Sequence, residues 1–90
     1  VNAQSDEYQE GIAAYNAKEF DKAIQAFRNV EQAGSNSLEL YYNLGTAYLA
    51  KDDLANARLY LERAALQDPN NDAVQNNLNI ETKEVIILLK

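Results

Sequence analysis

Tyr8, Gly11, Ala13 and Ala23 return as Tyr42, Gly45, Ala47 and Ala57, each 34 residues further on. A period of that length commits a chain to an array of like units, because one such unit cannot bury its apolar face alone and must stack on a neighbour. Similar residues hold the same register: Glu19 and Phe20 with Asp53 and Leu54, Phe27 with Leu61, Val30 with Ala64. Within each unit the apolar residues fall at helical spacing, as Tyr8, Gly11, Ile12, Tyr15 and then Phe20, Ala23, Ile24, Phe27. The second unit repeats this with Tyr41, Leu44, Gly45, Tyr48 and then Leu54, Ala57, Leu61, Ala64. Each unit therefore reads as a helical hairpin and the fold class as all-α, which a chain with one Pro and three Gly favours by propensity as well.

The breaks agree with this reading. Ser5 is placed to cap the first helix, with Asp6 and Glu7 in its electropositive first turn. Gly34-Ser35-Asn36-Ser37 supplies a C-cap glycine and N-cap candidates between the units, and Asp52-Asp53 lies in the next interhelical turn with an N-cap role. Asp68-Pro69-Asn70-Asn71 closes that helix, and Asp72 followed by Gln75 reads as a capping box opening a fifth. The chain is thus one domain over 1–90, with units at 4–36 and 37–71 and a last helix over 72–90. Gly11, Gly45, Ala23 and Ala57 fall on the buried faces, where small side chains let paired backbones approach closely. Tyr41, Tyr48, Leu44, Phe20, Phe27 and Leu61 are core candidates.

Composition removes most chemistry. With no Cys and no His, the chain has no thiolate nucleophile, no disulfide, and neither the usual general base nor the commonest metal ligand. No loop has calcium-ligand spacing, and the carboxylate pairs Asp6-Glu7 and Asp52-Asp53 sit where helix caps and first turns want them. The expectation is no catalytic residue, no metal and no cofactor. A net charge of -6 with no basic stripe argues against nucleic acid. No apolar run reaches the roughly 18 residues of a membrane span, so no membrane insertion is expected. Val1-Asn2-Ala3 has the small-residue pattern that ends a secretory leader, and an arbitrary boundary accounts for it equally well.

Tyr41-Tyr42-Asn43-Leu44-Gly45-Thr46-Ala47-Tyr48, Asp53-Leu54 with Ala57, and Asp68-Pro69-Asn70-Asn71 resemble a tetratricopeptide repeat (TPR). The first unit departs from the family pattern in having Gly34-Ser35 where Asp-Pro is usual and Ala14 where the second unit has Tyr48. In the third register position Asn79 replaces the expected Gly, which makes residues 72–90 a capping helix or a cut-off third repeat. The resemblance implies five antiparallel helices in a right-handed superhelical stack and a protein-interaction scaffold without enzymatic activity, whose partner is another protein or peptide. A narrower likeness, carried by a first repeat ending in Gly34, then Leu40 to Gly45, Tyr60-Leu61-Glu62-Arg63-Ala64, Asp68-Pro69-Asn70 and Asn77-Leu78, is to the TPR segment of BatE-type aerotolerance proteins. It implies a periplasmic or cell-envelope setting beside partners with von Willebrand factor A domains.

By the family register the concave, partner-binding face comprises Ser5, Tyr8, Ile12, Tyr15 and Asn16, then Glu39, Tyr42, Thr46, Leu49 and Ala50, then Asn76, Ile80 and Lys83. Its tyrosines suit an aromatic docking surface, although aromatic residues at helical spacing also serve as core. Asn43 and Asn77 match positions that hold a C-terminal carboxylate in chaperone-binding TPR domains, but Tyr8 and Ile12 stand where those domains use Lys and Asn. A carboxylate clamp is therefore not expected. Val85 to Leu89 puts apolar residues on every face of a helix, so Ile86, Ile87 and Leu89 are candidates for self-association as a homodimer.

Overall fold

The computed structural model describes the backbone of residues 3–89 and the side chains of residues 6–80. The described residues form five helices: α1 (Ala3–Asn16), α2 (Phe20–Gln32), α3 (Leu38–Ala50), α4 (Leu54–Gln67) and α5 (Asp72–Leu89). α1 pairs with α2 and α3 with α4, α3 stacks on α2, and α5 stacks on α4 and touches α3. The result is an elongated stack of about 48 × 27 × 19 Å.

The ends of the helices have local causes. Ser37 Oγ accepts the Leu40 amide at 3.2 Å and Asp53 Oδ1 accepts the Asn56 amide at 3.3 Å, which caps α3 and α4. Two expected caps are corrected. α1 begins at Ala3, so Ser5 lies inside the helix, not ahead of it, and Asp6 alone keeps its place in the first turn. α5 is capped by Asn71, whose Oδ1 accepts the Val74 amide at 3.1 Å. The side chain of Gln75 reaches back to the Pro69 carbonyl, so Asp72 and Gln75 do not form a capping box.

Three helices end in the same motif, with amides of the next residues folded back on the last carbonyls. Gly34 takes the left-handed position after α2 at φ +112°, with Ser35 N bonded to Val30 O. Lys18 (φ 62°) and Asp52 (φ 61°) do the same after α1 and α3, where Glu19 N reaches Ala14 O and Asp53 N reaches Tyr48 O. Lys18 and Asp52 are themselves 34 residues apart, so the repeat extends to the backbone of its turns.

The core runs along the stack. Phe27, Leu40, Leu44, Leu61 and Val74 are fully buried, with Ala23, Ala47, Ala57 and Ala64 between them. Gly11 and Gly45 are buried as expected: a β-carbon on Gly11 would lie 2.5 Å from the Phe27 ring, and one on Gly45 2.6 Å from Leu61 Cγ. Tyr48 is buried, while Tyr41 and Phe20 are only half-buried, Phe20 being the first residue of its helix.

A polar cluster joins the two hairpins away from the groove. Tyr60 donates its hydroxyl to Glu31 Oε1 at 2.8 Å, and Arg63 pairs with Glu31 Oε2 at 3.4 Å. Arg28 Nε sits 3.0 Å from Glu31 Oε1 as an ion pair without the alignment of a hydrogen bond, and its Nη1 donates to the Tyr48 hydroxyl at 3.4 Å. The Arg63 guanidinium covers the Tyr60 ring at 5.2 Å. Burial, then the bond to Glu31 and its charge, push the Tyr60 phenol up to about 12 from the ordinary 10. A phenol whose folded value is raised adds stability that is complete below its unfolded value and is lost as pH rises through the folded one. Between pH 10 and pH 12 the parent should therefore lose stability more steeply than Tyr60→Phe, as read by urea midpoints across that window.

Candidate functional site

Between α1 and α3 the stack leaves a cavity of about 290 Å³ walled by Ile12, Tyr15, Asn16, Phe27, Tyr42, Asn43 and Thr46. Helical spacing brings these together: Ile12, Tyr15 and Asn16 lie on one face of α1, and Tyr42, Asn43 and Thr46 on the facing side of α3. Phe27, 1% exposed, forms the floor because Gly11 lets α2 approach α1 closely there.

Two asparagines tie successive groove helices. Asn43 Nδ2 donates to the Tyr8 hydroxyl at 2.6 Å, linking α3 to α1, and Asn77 Nδ2 donates to Thr46 Oγ1 at 2.8 Å, linking α5 to α3. Because the Tyr8 oxygen accepts from Asn43, its own proton is free to be given to a ligand. Burial raises the Tyr8 phenol above its ordinary value, the Asn43 bond acts against this, and the charge of Glu39 adds to it. Tyr8 is thus a neutral donor at any physiological pH. Its ring rests on Phe27 at 5.6 Å, and the Tyr15 ring meets Phe20 edge-on at 5.3 Å, so both tyrosines are packed as well as presented.

Tyr42 differs. Among the described tyrosines it alone has neither a ring partner nor a side-chain hydrogen bond, and it stands half-buried in the cavity wall.

The register placed Ile12, Tyr15, Asn16, Tyr42 and Thr46 together on this wall, and Tyr8 joins them through Asn43. Glu39 is exposed one turn before Tyr42, near enough for its charge to act on Tyr8. Leu49 packs on the core instead of lining the cavity. Asn76 and Ile80 are exposed on α5, away from the wall, and Ser5, Lys83, Ile86, Ile87 and Leu89 lie outside the residues whose side chains are described. The register missed Phe27 as a floor residue and Asn43 as a clasp. The recurrence of asparagine at 43 and 77 was the available signal.

A wall of aliphatic, phenol, hydroxyl and amide groups can hold a side chain and satisfy a backbone. It contains no nucleophile paired with a base. Among the described residues no cluster of three or more acidic, His or Cys side chains could hold a metal, and no helix is long and apolar enough to cross a membrane. Elsewhere, the outer side of α4 exposes Leu59 and Leu66 beside Arg58, Glu62 and Arg63, a hollow lined by a single helix.

The sequence model of the tetratricopeptide repeat family matches residues 4–78. Among solved structures, the TPR domain of Arabidopsis OM64 superposes with a TM-score of 0.87 over 93% of this chain and 69% of that one. At 21% identity, this likeness speaks for the fold alone. No curated protein matches in sequence. A family match across most of the chain, carried by two glycine-pinned hairpins and a fifth stacked helix, means that the chain belongs to the tetratricopeptide repeat family.

Proposed function

We propose that this chain is a binding module that holds a polypeptide segment of a partner protein in the groove between α1 and α3. The observation that carries this reading is Tyr42: a half-buried aromatic ring on a cavity wall with no ring or side-chain hydrogen-bond partner among the described residues, beside a neutral hydroxyl and an amide already oriented by their mutual bond. An aromatic anchor in a preformed pocket is the usual centre of a protein–protein contact. The same reading places the module in a cell-envelope assembly of the aerotolerance type, supported by the likeness at Leu40 to Gly45, Tyr60 to Ala64 and Asn77-Leu78.

The test is a selection of random twelve-residue peptides on the immobilised chain, run in parallel on Tyr42→Ala. Peptides held by the parent should bind Tyr42→Ala at least about 30-fold more weakly, the size of a hot-spot loss of about 2 kcal/mol. The melting temperature should move by only a few degrees, since Tyr42 lacks a packed ring partner. If no peptide depends on Tyr42, the groove is not the binding site.

A further inference from the structure

The charges of this protein are sorted between its helices. α1, α3 and α5, the first helices of the successive units, carry seven acidic residues (Asp6, Glu7, Glu10, Glu39, Asp72, Glu81, Glu84) and one basic residue, Lys83. The rest of the chain carries seven acidic and seven basic residues. α1 and α3, the two helices that flank the groove, account for four of these acids, Asp6, Glu7, Glu10 and Glu39, and carry no Lys or Arg, while the second helices and the turns are balanced.

We infer that the segment held in the groove is basic, carrying lysine or arginine next to an apolar residue that fills the cavity between Ile12, Phe27 and Tyr42. This deepens the binding reading above and rests on it. The described wall of the groove carries no basic side chain, and the charge whose field reaches it is that of Glu39, which draws in the opposite charge. Glu39 sits where that charge is needed, exposed at the lip and one turn before Tyr42, so that a cation pairing with it remains within reach of the open ring. Its field is felt at the Tyr8 hydroxyl across the groove. Glu10 is not part of this surface, since it borders a separate hollow with Glu19 and Lys22. The polar groups on the wall serve the backbone of the segment: Tyr8 offers a proton to a carbonyl, and the Asn43 carbonyl oxygen accepts an amide. A C-terminal carboxylate finds no cation on the described wall and meets Glu39.

The same peptide selection tests this, with its output scored for charge. Peptides that depend on Tyr42 should show an excess of Lys and Arg over Asp and Glu against the unselected library. The best of them, synthesised with an amidated C-terminus and followed by fluorescence anisotropy, should bind Glu39→Lys on the order of tenfold more weakly than the parent. Glu39→Gln should fall in between. Affinity for the parent should drop as salt is raised from about 0.05 to 0.5 M, where screening shortens to a few Å. Tyr42-dependent peptides that are neutral or acidic, or that need a free carboxylate, would overturn the basic occupant and leave the groove standing. If no peptide depends on Tyr42, both readings fall together.

Discussion

Phe27→Ala should cost about 3 to 5 kcal/mol, the range for deleting a buried aromatic ring when the surroundings cannot collapse. They cannot collapse here, because the ring is enclosed from three sides. Gly11 of α1 already lies in contact with it, Tyr8 rests on it at 5.6 Å, and its own helix is fixed by Ala23 and Val30 in the core. A domain of this size has a total stability of only about 5 to 10 kcal/mol, so the variant should be partly unfolded near body temperature. Urea unfolding followed by circular dichroism checks this through a lowered midpoint at unchanged slope. A midpoint within the range of surface substitutions would mean that Phe27 is not the keystone of the first hairpin. Where the variant remains folded it should also lose the groove, since the floor of the cavity is gone.

Gly45→Leu should be nearly as damaging for the opposite reason. A β-carbon there meets Leu61 Cγ at 2.6 Å, Leu61 Cδ2 at 2.9 Å and the Ala57 carbonyl oxygen at 3.2 Å. A leucine tip can swing away, but the Ala57 oxygen belongs to the backbone of α4 and moves only with the helix. Overpacking of this kind costs about 3 kcal/mol, and in a domain of this length each kcal/mol lowers the melting temperature by roughly 4 to 8 °C. Gly45→Ala is milder, since alanine recovers about 1 kcal/mol of helix propensity against the same clash. The double variant Gly45→Leu, Leu61→Ala should be less destabilised than the sum of its parts, by more than about 1 kcal/mol, because the new side chain occupies the space that the old one vacates. Strict additivity would show that the two positions do not touch.

The sequence carried the hairpins, the close contacts and most of the groove wall, because these follow from two regular quantities, the helical period and the 34-residue offset. It was weaker wherever the choice is decided among near-equal local options. Asn71 and Asp72 are both good cap residues, and it is Asn71 whose side chain takes the Val74 amide. Ser5 is a good cap that α1 bypasses by starting at Ala3. Lys18 and Asp52 adopt the left-handed conformation that glycine usually signals, so no residue type marked those two turns. The clasp from Asn43 to Tyr8 joins residues from different units, and no periodicity within either unit reports a bond between them.

The way the helices stack also governs how the chain folds. Among the described residues most contacts join helices that adjoin in sequence, the exceptions being the touch of α5 on α3 and the bond from Asn43 of α3 to Tyr8 of α1. Closing such contacts requires only short loops, so little chain entropy is spent before native interactions return it, and topologies of this kind fold on microsecond to millisecond scales. On the ribosome, the first hairpin is complete once Gln32 has emerged, and α3 then supplies the surface that packs on α2. Each helix is thus fixed by the neighbour it packs on, so folding can begin in either hairpin and spread along the stack.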